Sequence, residues 1–206
     1  LKEGEKPLQT LKNTLDTYLK ESVSMVHILP YYPYTSDGGF AVSDYEKINP
    51  DLGDWSDVTE ISQDYKIMAD LVINHCSSEH PWFKAFEAGD PKYEHYFVQA
   101  SSTDDLSEVV RPRTTALLRI THTTEGEKYV WCTFSHDQID LNFANPEVLL
   151  EIMRLISLYI DKGASIFRLD AIGFLWKIIG TTCIHLPETH MAIQLMRALI
   201  EYRLSD

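Results

Sequence analysis

Polar side chains follow three apolar segments of the sequence, at the point where each segment ends. Arg168 and Asp170 close one segment, Asn74 and His75 close another, and a polar loop over 31–40 follows the third. If the segments are strands, Arg168 and Asp170 point to the same face, because side chains two residues apart do so. A guanidinium beside a carboxylate keeps the carboxylate ionised, and an ionised carboxylate can act as a nucleophile. The alternative interpretation is that these residues are caps and turns, or an Asp–Arg pair at the surface.

Arg111 and Arg113 form a second group of chemical interest. No other basic residue occurs between positions 101 and 118, in a chain whose formal charge is −13. Arginine forks match the oxygens of phosphate or carboxylate, so the pair predicts an anion site. The alternative is a surface salt bridge to a nearby carboxylate: Asp104, Asp105 or Glu108.

The elements that would position these side chains follow from the period of the apolar residues and from cap signals. In chain order they are a helix over 9–21, a strand over 23–30, a helix over 57–65 capped by Ser56, a strand over 66–74, a helix over 146–162 capped by Asn145 and closed by Gly163, a strand over 164–170 and a helix over 187–203. Helices that alternate with apolar strands predict an α/β fold with parallel strands, as an open sheet or a barrel. In both architectures, function lies at the carboxyl ends of the strands.

Residues 76–145 have no clear helical or strand period and contain many aromatic, proline and polar turn residues. The stretch is too long for a plain loop and predicts a small inserted subdomain. The expected organisation is a first part over 1–75, an inserted subdomain over 76–145 after the strand ending at His75, and a second part over 146–206.

Composition narrows the function classes. The 206 residues are 44% hydrophobic and 24% charged, as in globular proteins. A charge of −13 without a basic run disfavours nucleic-acid binding, and we expect no membrane span because no apolar run reaches about 18 residues. Three widely spaced cysteines indicate a reducing compartment, so we expect a cytoplasmic protein. We expect no signal peptide, because the N-terminus is polar. Since the sequence does not start with Met, we also expect the chain to be a piece of a longer one.

Three segments resemble motifs of the alpha-amylase superfamily, glycoside hydrolase family 13. They occur in the family's order: 70–75 (DLVINH), 138–142 (QIDLN) and 167–171 (FRLDA). Four more segments resemble the sucrose phosphorylase branch, which includes phosphorylases for sucrose, sucrose phosphate, glucosylglycerate and glucosylglycerol. They are 27–33 (HILPYYP), 36–40 (SDGGF), 111–113 (RPR) and 180–187 (GTTCIHLP). The resemblance implies a partial (β/α)8 TIM barrel with about three of its strands.

The resemblance also implies roles for individual residues. Asp170 matches the family's nucleophile, and Arg168 is the cation beside it. The matching substrate-binding positions are Asp37, Phe40, His75, Phe134 and Gln138, and those on the phosphate or acceptor side are Arg111, Arg113 and His185. Plainer interpretations exist: a strand-terminal histidine, a Gly-rich turn with a core phenylalanine, and a polar loop around His185. Asn74 matches a calcium ligand of many amylases, but the phosphorylase branch lacks that ion, so we expect no metal and no cofactor.

The implied function is the transfer of a glucosyl group with retention of configuration. The donor would be an α-glucoside such as sucrose, the acceptor inorganic phosphate and the product glucose 1-phosphate. Two alternatives remain open: a hydrolase of the same superfamily, and a non-catalytic sugar-binding or interaction module. The family's acid/base Glu and stabilising Asp have no match in these 206 residues, so we expect the isolated chain to be inactive. Glu188 is a poor substitute, because a carboxylate that opens a helix is explained by the helix dipole.

Overall fold

A computed structural model describes residues 2–205 of the chain. The chain forms two compact units. The first comprises the residues up to Val72 together with Arg154–Asp170, and the second comprises Ile73–Met153 together with the residues from Ala171 onward. Each unit contains part of the predicted site. The organisation into 1–75, 76–145 and 146–206 stays a prediction.

A parallel sheet of three strands forms the centre of the first unit. Its strands are β1 (Met25–Ile28), β2 (Lys66–Val72) and β8 (Ala164–Asp170), in the order β1-β2-β8. The central strand β2 is buried over most of its length, as a parallel strand between two neighbours should be. Asp70 pairs with Arg168 and Val72 pairs with Asp170, so the polar ends of these two strands are adjacent. The prediction of parallel strands is confirmed.

The first helix of this unit differs from the prediction. Helix α1 spans Pro7–Thr14 and continues as a π-helical turn over Leu15–Leu19, where the sequence predicted one helix over 9–21. The helix begins earlier because proline suits the first turn, where its missing N–H would have no partner within the helix.

The cap of the second helix also differs from the prediction. Helix α2 spans Trp55–Asp64 rather than 57–65, and its cap is Asp54, not Ser56. The Asp54 carboxylate accepts hydrogen bonds from the backbone N–H groups of Ser56 and Asp57. Both residue types are good caps, and the carboxylate lies one residue before the first turn, where its oxygens can reach those donors.

Aromatic packing joins the loop after β1 to the helix that precedes β8. This helix, α4, spans Pro146–Asp161. Within the first unit, the rings of Tyr32 and Tyr159 stack with 5.1 Å between centroids, and Trp55 lies 5.8 Å from Tyr159. The Tyr159 hydroxyl donates to the carbonyl of Tyr45 over 2.8 Å. These contacts hold the loop at the carboxyl end of the sheet.

The second unit is built from antiparallel strand pairs, a short helix and a long helix. Its elements are β3 (His75–Ser77), α3 (Pro81–Glu87), β4 (Gln99–Ala100), β5 (Leu118–Thr123), β6 (Gly126–Trp131), β7 (Gln138–Asp140) and α5 (Pro187–Ser205). β3 pairs with β7, and the other strands form a sheet in the order β4-β6-β5. Buried aromatic and aliphatic side chains, among them Phe83, Phe97 and Trp131, fill this unit. Within residues 2–205, no helix is both long enough and apolar enough to cross a membrane.

The sequence predicted a strand over 66–74, with His75 at its end. The carboxyl end of this prediction is wrong. β2 stops at Val72, and His75 opens β3, where it pairs antiparallel with Asp140. The carbonyl of Asn74 accepts from the N–H of Leu141 over 2.9 Å. The backbone after Val72 therefore bonds to a segment far away in sequence, which no local apolar period reveals.

Candidate active site

Arg168 lies between two carboxylates at the carboxyl end of the parallel sheet. Its Nη1 donates to Asp170 Oδ1 over 3.1 Å and also to Asp70 Oδ1. Asp70 is fully buried, whereas 18% of the Asp170 side chain is exposed. The hydrogen bond to Asp70 raises the pKa of the Arg168 guanidinium above its ordinary value. Asp170 is thus a carboxylate held by a permanent cation and still accessible to a ligand, as a nucleophile must be.

The loop after β1 brings an aromatic ring to this cluster. The ring centroid of Phe40 lies 5.9 Å from the guanidinium carbon of Arg168. Asp37 opens the preceding turn with a φ of +56°, which a short polar side chain tolerates. Gly39 has a φ of +111°, and a Cβ there would come within 3.0 Å of the Pro30 carbonyl oxygen, so this turn requires glycine. The sugar-binding roles of Asp37 and Phe40 stay predictions.

In the second unit, polar neighbours hold His75 at both ring nitrogens. Asn74 Nδ2 lies 3.2 Å from His75 Nδ1, and Gln138 Nε2 lies 3.1 Å from His75 Nε2. The Phe134 ring packs on the imidazole at 5.2 Å, and the guanidinium carbon of Arg113 lies 5.8 Å from the Phe134 ring centroid. Four residues that the resemblance singled out therefore form one continuous group. Their roles toward sugar and phosphate stay predictions.

Arg111 lies against the backbone of the same unit. Its Nη1 lies 3.2 Å from the carbonyl oxygen of Cys132 and 3.4 Å from that of Thr133. Burial lowers the pKa of the Arg111 guanidinium. Within residues 2–205, neither Arg111 nor Arg113 forms an ion pair with the acidic residues at 104, 105 or 108, so the salt-bridge interpretation has no support. The anion site stays a prediction.

His185 belongs to the loop that precedes α5. Its backbone N–H donates to the carbonyl of Gly173 over 2.8 Å, and its ring lies 6.4 Å from the ring of His190. A Cβ on Gly173 would come within 2.7 Å of the His185 ring. The imidazole thus packs on the turn after β8, and its acceptor role stays a prediction.

A buried ion pair, which the sequence analysis missed, lies beneath His75. Lys177 Nζ lies 2.6 Å from Asp140 Oδ2 and 2.9 Å from Asn74 Oδ1. The side chains of Lys177 and Asp140 are 3% and 0% exposed. Asp140 also accepts from the N–H and the hydroxyl of Thr133. The sequence does contain a signal for this pair, since Lys177 is the one charged residue in the apolar segment 171–179. A lysine in such a segment is buried, and a buried ammonium requires an acidic partner.

The same lysine bears on the expected absence of a metal. Asn74, which matches a calcium ligand of many amylases, presents its Oδ1 to the Lys177 ammonium. Within residues 2–205, no group of three or more His, Cys, Asp or Glu side chains could hold a metal ion. The Lys177 ammonium thus lies against Asn74 Oδ1 and Asp140 Oδ2, and the expected absence of a metal stays a prediction.

Comparison with known sequences gives the family. A family model described as the catalytic domain of alpha amylase matches residues 7–202. The chain belongs to the alpha-amylase family. It is 50% identical over 200 residues to the glucosylglycerate phosphorylase of Spirochaeta thermophila, a match that covers 97% of this chain and 34% of that protein. It is 42% identical over 197 residues to the glucosylglycerate phosphorylase of Escherichia coli K12, covering 95% of this chain and 35% of the relative.

Solved structures confirm the fold of this alpha-amylase family chain. The structure of sucrose 6F-phosphate phosphorylase from Thermoanaerobacter thermosaccharolyticum matches with a TM-score of 0.85 and 29% identity, over 91% of this chain and 42% of that one. The expected partial TIM barrel is therefore confirmed, and the part of the chain that the structure describes contains three parallel strands of it. The chain spans about a third of the length of the two curated phosphorylases described above.

The structure shows the bonding partners of three residues for which no role was predicted from the sequence: Asp70, His27 and Asp140. Asp70 lies within the first motif, and its role follows from the structure, where its buried carboxylate accepts a hydrogen bond from Arg168. His27 bonds the same carboxylate at 2.8 Å. Asp140, within a second motif, anchors Lys177. A motif indicates which positions matter, whereas the partners of buried charges follow from distances in space.

Proposed function

We propose that this chain supplies the nucleophile and part of the glucosyl-binding surface of an α-glucoside phosphorylase that retains configuration. The observation that carries the proposal is Asp170, an accessible carboxylate held at 3.1 Å by Arg168. The names of the relatives support phosphorolysis, and 50% identity to a glucosylglycerate phosphorylase favours glucosylglycerate as the donor. The guanidinium carbon of Arg113 lies 5.8 Å from the Phe134 ring centroid, and its N–H donors suit an anionic acceptor.

The proposed chemistry has two displacements. The Asp170 carboxylate attacks the anomeric carbon, the bond to the leaving oxygen breaks, and that oxygen takes a proton from a carboxylic acid. A phosphate oxygen then attacks the glucosyl ester, and the Asp170 carboxylate is released together with α-glucose 1-phosphate. Two inversions restore the original configuration. A fork of guanidinium N–H groups fits the phosphate oxygens, so Arg113 would bind phosphate for the second step.

We further propose that the 206-residue chain alone does not turn over substrate. The first displacement needs a carboxylic acid that can protonate the leaving oxygen. The carboxylate that shares Arg168 with Asp170 is Asp70, which is fully buried and bonded to both Arg168 and His27. Asp70 therefore cannot serve as that acid. A measurable rate of glucose 1-phosphate release by the 206-residue chain would contradict this.

A chimera tests the phosphorylase proposal. Residues 7–202 would replace the matching segment of the Escherichia coli glucosylglycerate phosphorylase, which is 42% identical. We expect glucose 1-phosphate release from glucosylglycerate, and a loss of roughly a thousandfold or more in kcat for Asp170→Asn, because the nucleophile is removed. A soluble, folded chimera whose Asp170→Asn variant keeps its rate would refute the assignment of the nucleophile.

Arg113→Ala separates phosphorolysis from hydrolysis in the same chimera. Loss of a charge-assisted hydrogen bond is worth about 1.5–3 kcal/mol, so kcat/KM for phosphate should fall roughly ten- to hundredfold. Hydrolysis of the donor without phosphate should stay unchanged. Lys92→Ala, which removes an exposed cation of the same unit, is the control and should alter neither rate. If the parent chimera releases glucose at one rate with or without phosphate, the chain belongs to a hydrolase.

A further inference from the structure

A row of charged and polar side chains crosses all three strands of the first unit. His27 of β1 pairs with Met68 of β2, and Asp70 lies two residues beyond Met68, on the same face of the sheet. Asp70 pairs directly with Arg168 of β8. Asp170 lies two residues beyond Arg168, again on that face. The register therefore places His27, Asp70, Arg168 and Asp170 on one face of the sheet, in a row that runs diagonally from the first strand to the third.

The hydrogen bonds along this row follow one direction. Asp70 is fully buried, and an ionised carboxylate only accepts hydrogen bonds. Its Oδ2 lies 2.8 Å from His27 Nε2, and its Oδ1 accepts from Arg168 Nη1. His27 must therefore carry a proton on Nε2. Both the neutral Nε2–H form and the imidazolium provide that proton, so the contact does not depend on the charge of the imidazole.

Arg168 Nη1 is shared between two carboxylates that differ in burial. It donates to buried Asp70 and, at 3.1 Å, to the partly exposed Asp170. Water can replace a lost partner at Asp170 but not at Asp70. If Asp70 lost the donor on its Oδ2, the guanidinium fork of Arg168 could satisfy both carboxylate oxygens in a bidentate pair. That movement would withdraw Arg168 from Asp170.

We propose that His27 is a positioning residue for Asp170. By satisfying one oxygen of Asp70, it confines Arg168 to the other oxygen and leaves Nη1 directed at Asp170. His27 lies in the first strand, and hydrogen bonds through Asp70 and Arg168 connect it to Asp170. The inference rests on the proposed function only in that Asp170 is taken to be the nucleophile. The chain of hydrogen bonds from His27 through Asp70 and Arg168 to Asp170, called the relay below, can be measured without turnover.

Two variants of the 206-residue chain test the relay. His27→Phe keeps a planar ring but removes the donor, whereas His27→Gln places an amide N–H near the position of Nε2. In crystal structures, we expect the distance from Arg168 Nη1 to the nearest Asp170 oxygen to exceed about 3.5 Å in His27→Phe, which is beyond a hydrogen bond. In His27→Gln we expect it to return to within about 0.3 Å of the parent value. His122→Phe, which replaces an 82% exposed histidine, is the control.

A measurement on the unaltered chain keeps the inference testable if His27→Phe does not fold. Nitrogen-15 NMR of the histidine side chains distinguishes a protonated from a bare Nε2. We expect His27 to show a protonated Nε2 at pH values both below and above the ordinary histidine pKa of about 6.5. A bare Nε2, or an Arg168–Asp170 contact that survives in His27→Phe, overturns the inference. A chimera without phosphorolysis would instead refute the proposed function and leave these measurements valid.

Discussion

Replacing Lys177 with methionine tests how the buried ion pair stabilises the second unit. Methionine keeps an unbranched apolar stem of similar length but lacks the ammonium group. Asp140 is fully buried and would lose the cation that lies 2.6 Å from its Oδ2, while it keeps its two hydrogen bonds from Thr133. Removal of one partner of a buried ion pair costs about 3–5 kcal/mol, because the other charge stays buried and uncompensated. We expect Lys177→Met to lower the free energy of unfolding by about that amount.

Urea unfolding followed by circular dichroism measures this loss, and two further variants identify its cause. Adding Asp140→Asn to Lys177→Met removes the uncompensated charge, so the double variant should be more stable than Lys177→Met by about 1–3 kcal/mol. The matched control is Lys128→Met, because Lys128 pairs at 3.3 Å with the exposed Glu125. Such surface pairs contribute about 0–1 kcal/mol.

Two results would refute this reasoning. The first is a loss for Lys177→Met no larger than that for Lys128→Met. The second is a double variant no more stable than Lys177→Met. Either result would mean that the buried carboxylate of Asp140 does not need the ammonium, and that solvent or another donor compensates it instead.

Four further predictions concern the stability and reactivity of the chain. Calcium or a chelator should shift the melting temperature by less than about 1 °C, since the lysine ammonium already neutralises the polar groups where a cation would bind, and differential scanning calorimetry measures the shift. Cys76 and Cys132 should react with a maleimide only after unfolding, because burial raises the pKa of both thiols; rapid labelling of the native chain, read by mass spectrometry, would contradict this. Burial raises the pKa of Tyr31 from 10.0 to about 12, so the unfolded state ionises first and stability should fall as pH rises from 10.0 to about 12, as urea midpoints will show. Gly163→Ala should cost about 1–3 kcal/mol, since Gly163 has a φ of +104° and a Cβ there would collide with Ser62; an unchanged urea midpoint would argue against that strain.

The sequence alone determined features that depend on near neighbours. Because strand side chains alternate, the contact between Arg168 and Asp170 could be predicted from two positions in one segment, and the structure places them 3.1 Å apart. The parallel arrangement likewise followed from the alternation of helices and apolar strands. At the start of α2, Asp54 and Ser56 are both suitable cap residues, and the period of the apolar residues does not distinguish between them. The choice between Asp54 and Ser56 depends on which side chain reaches the free N–H groups.

Only the tertiary structure decided the partners of the buried charges. Asp70 and Arg168 are 98 residues apart in the chain, and Asn74 and Lys177 are 103 apart. Nothing in a local apolar period encodes such distances. A charge removed from water needs an opposite charge or donor a few ångströms away, and the fold alone brings that partner within reach. The same reason explains why His75 could be identified from its motif, while the strand that holds it could not.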